Sequence, residues 1–164
     1  MKKKKPTPKD ATRSLQPDLA IFHRQRSTRY EPDRLESIVA LALPACLTAS
    51  LARRGTLHRL SRVEISVVGL RRMAAIHREF LGIFGATDVI TFPYGEIFVC
   101  ASVAHARAAE FGNSPTKELA TYMIHGLLHL SGHDDLDPED ANEMAAAQEH
   151  IVTAACHRFA ATSS

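Results

Sequence analysis

His125-Gly126-Leu127-Leu128-His129-Leu130-Ser131-Gly132-His133-Asp134-Asp135 is the segment of this 164-residue chain whose side chains can do chemistry. Two histidines four apart project from the same face of a helix, one turn from each other. That spacing lets two imidazoles grip a single cation. They stand among Ile124, Leu127, Leu128 and Leu130, where an unsatisfied imidazole is costly. Gly132 suits a left-handed helix stop, and the reversal it allows returns His133, Asp134 or Asp135 toward the same point. The order His-x3-His-x2-Gly-x2-Asp has the metzincin spacing, in which the third ligand lies ten residues after the first.

The third ligand is therefore His133 or Asp135, with the offset favouring Asp135. Residues just after a helix stop still point along its axis, and two or three more are needed to swing a side chain back over the last turn. The expected metal set is His125, His129 and Asp135, holding one Zn2+ per chain. His133 then falls near the open coordination position, where an imidazole can shuttle a proton at neutral pH. This makes His125, His129 and His133 the expected catalytic histidines. A catalytic zinc uses three protein ligands and leaves a fourth place for water, whose pKa it lowers to about 7. The residue after the first histidine also matters. A zincin peptidase carries its general base there as Glu; this chain has Gly126, which opposes a peptidase.

The elements that must hold these residues can be read from periodicity. Residues 19–24 suggest a short strand, and Pro32-Asp33 opens an amphipathic helix through Leu35, Ile38, Val39 and Ala42, with a break expected at Pro44 and a second apolar run at 47–51. Val63, Ile65 and Val67 alternate with polar residues, the period of a half-buried strand. Helical spacing returns over 70–81 and stops at Gly82 and Gly85. The runs 87–93 and 96–100, split by Pro93-Tyr94-Gly95, predict neighbouring strands joined by a tight turn. Residues 102–111 make an Ala-rich helix. Ser114-Pro115 caps the next, about 116–131, which is apolar almost all round and so belongs at the buried centre. A last helix over 138–159 starts with acidic residues suited to its dipole. The order predicts an α+β fold: a small mixed sheet and helices around a buried, zincin-like metal-binding helix. Asp88 and Glu96 are the best upstream carboxylates for steadying a ligand or moving a proton. His23, His58, His77, His105, His150 and His157 share no spacing and read as incidental.

Composition bounds the reading. Charged residues at 23% and hydrophobic ones at 45% are globular values that exclude wholesale disorder. Cys46, Cys100 and Cys156, odd in number and far apart, make no disulfide framework and read as small buried hydrophobes in a reducing compartment. No apolar run approaches a membrane span, and no apolar stretch follows the lysines at the amino terminus as in a signal peptide. A cytoplasmic protein with no membrane partner is the expectation. The net charge of +2 divides into +5 on residues 1–13 and −3 on the rest. Residues 1–17 therefore read as a basic, disordered arm able to neutralise nucleic-acid phosphates, ahead of a single domain over 18–160.

The helix motif, with Thr-Asp-Val-Ile-Thr-Phe-Pro at 87–93 and Gly-Glu-Ile-Phe-Val-Cys at 95–100 before it, resembles the YbeY family over residues 19–155. The resemblance implies an α+β, zinc-dependent endoribonuclease that cuts single-stranded RNA, with no DNA substrate. Its implied partners are ribosomal RNA and the small ribosomal subunit, in maturation of the 3′ end of 16S ribosomal RNA and ribosome quality control. Rival readings are a non-catalytic ribosome-assembly or RNA-binding factor with a structural metal, and a metallopeptidase. Two departures from the common family pattern stand out, each at a pair of positions. The third histidine of that pattern falls on Asp135, with His133 where tyrosine is usual. The usual Asn and Arg ahead of the Thr-Asp-Val strand fall on His77 and Leu81, leaving Arg71, Arg72 and Arg78 as nearby cations.

Overall fold

The computed structural model describes residues 16–50 and 54–164. The basic arm expected at the amino terminus lies, up to residue 15, outside them. Strand β1 (Asp18–His23) is followed by α1 (Pro32–Thr48), β2 (Arg62–Val68), α2 (Leu70–Leu81), β3 (Val89–Phe92), β4 (Glu96–Cys100), α3 (Ala101–Phe111), α4 (Pro115–Leu130) and α5 (Pro138–Thr162). The four strands form one mixed sheet in the order β1-β2-β4-β3. The β1–β2 and β2–β4 pairs are parallel, and β3 runs antiparallel to β4 across the turn at 93–95. β3 is thus an edge strand.

Side-chain alternation assigns the two faces. Val63, Ile65, Val67, Ile97 and Val99 pack with α1, α4 and α5 in the main core. Val68, Ile90 and Cys100 meet Met73 and Ile76 of α2 on the opposite face. Because β2 is covered on both sides, its last four residues are all buried, where alternation alone suggested a half-buried strand. The helix expected to break at Pro44 runs on to Thr48. Pro44 and Ala40 face solvent, so the carbonyl deprived of its N–H partner can be hydrated, while Leu43 and Cys46 stay anchored in the core. Burial pushes the Cys46 thiol up to about 12, in keeping with an inert core residue.

Helix α4 is the centre of the molecule. Ser114 accepts a hydrogen bond from the Lys117 N–H at 3.1 Å, and Pro115 opens the helix. Leu119, Met123, Ile124, Leu127 and Leu128 are completely buried. Gly126 is where α4 presses on the sheet: a Cβ there would lie 2.9 Å from Ile97 Cγ2 and 3.0 Å from Thr91 Oγ1. No helix of the described residues is long and apolar enough to cross a membrane.

Candidate metal centre

Helix α4 ends in a paired main-chain motif. The Gly132 N–H donates to the His129 carbonyl and the His133 N–H to the Leu128 carbonyl, both at 3.0 Å, with Gly132 at φ +99°. Gly132 faces a second glycine across the turn, since a Cβ on it would meet the Gly55 nitrogen at 2.7 Å. Asp134 Oδ1 then accepts from the Asp135 and Leu136 N–H groups, and Asp137 caps α5 by accepting from Glu139 N. These bonds turn the chain back over the last turn of α4.

The reversal brings Asp135 to the two histidines. His125, His129 and Asp135 each offer a ligand atom, all within 4.8 Å of one another. The histidine Nε2 atoms are 3.0 Å apart, and Asp135 oxygens lie 3.5 Å from His125 Nε2 and 3.8 Å from His129 Nε2. The opposite nitrogens fix the tautomers. His129 Nδ1 is 3.1 Å from the His133 carbonyl, which can only accept, so Nδ1 carries the proton. His125 Nδ1 donates to Gln148 Oε1 at 2.8 Å. Both Nε2 atoms therefore present lone pairs to each other and to a carboxylate. Nor does a proton readily relieve the crowding, because burial, and then the charge of His129, hold the His125 pKa below its ordinary value. Lone pairs converging with no donor between them suit a cation, and two imidazoles and a carboxylate are a zinc-type donor set.

His133 is placed differently. Its ring is buried, and Nε2–H donates to the Ala49 carbonyl at the end of α1, 3.0 Å away. That nitrogen ties the loop to α1, and what His133 brings to the centre is its main-chain carbonyl on His129. Gln148 had no signal in the sequence, because it comes from α5, 23 residues after His125.

The centre opens into a cleft whose far wall is β3 with its flanking residues Asp88 and Pro93, and Leu81 of α2 and Arg54 also line it. Asp88 lines this wall; its Oδ1 accepts from Val89 N–H and Thr87 Oγ1–H, and its charge is felt at His125. Glu96 is not on the wall and instead accepts from the Tyr94 hydroxyl at 3.0 Å. None of Arg71, Arg72 and Arg78 lines the cleft, and the Arg78 guanidinium sits 5.7 Å from the Phe84 ring. Among the described residues, the arginine that lines the cleft is Arg54. Two of the histidines read as incidental have structural work: His77 donates through Nδ1 to the Gly85 carbonyl, and His23 bridges Tyr30 and Glu36.

A family model described as Endoribonuclease YbeY matches residues 20–155. The chain belongs to the endoribonuclease YbeY family. An Endoribonuclease YbeY of Cutibacterium acnes is 34% identical over 140 residues, covering 75% of this chain and 86% of its own. One from Elusimicrobium minutum is 32% identical over 131 residues, covering 73% and 87%. The solution structure of TM1509 from Thermotoga maritima superposes with a TM-score of 0.58 at 25% identity, over 88% of this chain and 93% of that one. The α+β fold expected from the sequence and the resemblance to the YbeY family both stand. Within that family, Leu81 occupies a cleft-lining position and His77 clamps the loop that leads to β3.

Proposed function

We propose that this protein is a metal-dependent endoribonuclease that cuts single-stranded RNA, with one zinc per chain held by His125, His129 and Asp135. The observation that carries the proposal is the convergence of two Nε2 lone pairs and a carboxylate on a cleft, in a chain of the YbeY family. When bound, the metal would supply a Lewis acid for the scissile phosphate and an acidified water. The chain's own residues do the rest. Gln148 and the His133 carbonyl orient the two imidazoles, and second partners of this kind sharpen a metal site. Arg54 offers the phosphate a positive charge, and Asp88 is the carboxylate on the wall placed to accept a proton. In this reading His133 acts as a clamp through its ring and as an acceptor through its carbonyl, not as proton shuttle.

The same observations speak against a peptidase. The position at which a zincin carries its glutamate is filled by the sheet, with Ile97 and Thr91 where a side chain at 126 would begin. The partner we propose is the ribosomal RNA of the small subunit, processed near its 3′ end in the cytoplasm, with the +5 arm adding sequence-independent phosphate contacts. A single assay tests the core of the proposal: purified protein with an unstructured RNA, with and without chelator, beside His129→Ala. Cleavage that disappears with chelator and with His129→Ala is the expected result. RNA binding without cleavage in every condition would make the chain an assembly factor instead.

A further inference from the structure

Across the edge of β3 from the metal centre lies a group of aromatic rings left open to solvent. Tyr94 is 63% exposed and Phe80 55%. Both meet Phe92, a residue that borders the cleft and whose ring packs on the α2 side of the sheet. The Phe92 and Tyr94 rings are stacked, with centroids 5.4 Å apart and planes inclined by 19°, and Phe80 meets Phe92 edge-on at 5.2 Å. Tyr94 is held from three directions. One face lies on Phe92, the hydroxyl donates to Glu96 Oε2 at 3.0 Å, and the backbone is fixed by Gly95 at φ +101°. A Cβ on Gly95 would meet the Arg62 carbonyl at 2.9 Å, so the turn has little room to relax.

A ring pinned in orientation with one face uncovered is a prepared stacking surface. Single-stranded nucleic acids are held by such rings, because every base offers a π-face whatever its identity. The surface is also continuous with a site that would face a phosphate, since Phe92 and Pro93 border the cleft that holds His125, His129 and Asp135. A strand crossing the edge of β3 would run from one to the other. We propose that Tyr94, backed by Phe92, is a platform on which an unpaired base of the RNA stacks, flanking the nucleotide whose phosphate faces the metal centre. This rests on the RNA-cleaving reading above and adds to it a source of preference for unpaired over duplex RNA, whose bases present no free face.

The chain has no tryptophan, so Tyr94→Trp places the sole indole on the platform. Full-length Tyr94→Trp in chelator is titrated with a five-nucleotide RNA, and with an abasic oligomer carrying the same number of phosphates. Emission quenched by the RNA and not by the abasic oligomer is the expected result. In parallel, Tyr94→Ala should weaken RNA binding roughly tenfold or more at unchanged melting temperature. It should leave the affinity for the abasic oligomer as it was, while Tyr94→Phe keeps the wild-type RNA affinity. Equal quenching by both oligomers, or RNA affinity unmoved in Tyr94→Ala, overturns the platform. So does a dimer seen by sedimentation that Tyr94→Ala dissociates, which would make the surface a contact between copies. Zinc-loaded wild type that binds RNA through Tyr94 but never cuts would leave the platform standing and remove the nuclease. Metal-dependent cutting with the same kcat/KM in Tyr94→Ala would do the reverse.

Discussion

Gly126→Ala is a one-carbon change whose sign reports how α4 meets the sheet. In an exposed helix the substitution would stabilise by about 1 kcal/mol, because alanine is the better helix former. Here the new methyl would start 2.9 Å from Ile97 Cγ2, 3.0 Å from Ile97 Cδ1 and 3.0 Å from Thr91 Oγ1. Ile97 is completely buried, and its Cγ2 is fixed by a β-branched χ1 on a strand, so it can retreat only if backbone moves. Thr91 Oγ1, buried and with no hydrogen-bond partner among the described residues, loses no bond by turning, so the resistance comes chiefly from Ile97. Forcing a methyl into such packing costs about 1–3 kcal/mol. Set against the helix gain, the net loss is roughly 0–2 kcal/mol. At about 2–4 °C per kcal/mol for a chain of this size, the melting temperature should fall by a few degrees. The scan is run in chelator, so that bound metal does not mask the change by mass action. A rise of 2–4 °C would mean that helix propensity alone is being read, and would refute the close approach of α4 to β4. Gly126→Glu, which supplies the glutamate of a zincin, should then destabilise far more and confer no peptidase activity.

Asp135→Ala should cost at least tenfold more zinc affinity than His133→Ala, measured by competition with a chromophoric chelator; the opposite order would make His133 the third ligand. Gln148→Leu removes the acceptor of His125 Nδ1–H and should lower zinc affinity about 10- to 100-fold with little change in secondary structure by circular dichroism. In chelator, stability should rise with pH in the window below 6.5. The His125 pKa is lower in the folded protein than its ordinary 6.5, so the unfolded chain binds the extra proton there, and stability is lost as pH falls through the depressed value. That slope should shrink in His125→Asn, by denaturant titration at several pH values. Deleting residues 1–13, which carry +5, should flatten the salt dependence of RNA affinity and leave the melting temperature unchanged.

Much of the centre was legible because it is local. His125 and His129 are one helical turn apart, and Gly132 reverses the chain within the same few residues, so spacing narrowed the returning residue to His133 or Asp135 and favoured Asp135, which the fold brings beside the histidines. The hairpin of β3 and β4 and the capped start of α4 were legible for the same reason: alternation and turn residues act over a handful of positions. Partners distant along the chain left no such trace. Gln148 on His125, Ala49 on the His133 ring and Arg54 at the cleft are brought there by packing of α5, α1 and the loop before β2. Pro44 misled for a related reason, because the core that keeps α1 intact on both sides of it comes from other elements. The glycine at 126 was visible in the sequence as the absence of a base. Only the tertiary structure supplies its cause, the side chain of Ile97 occupying the space that any larger residue would need.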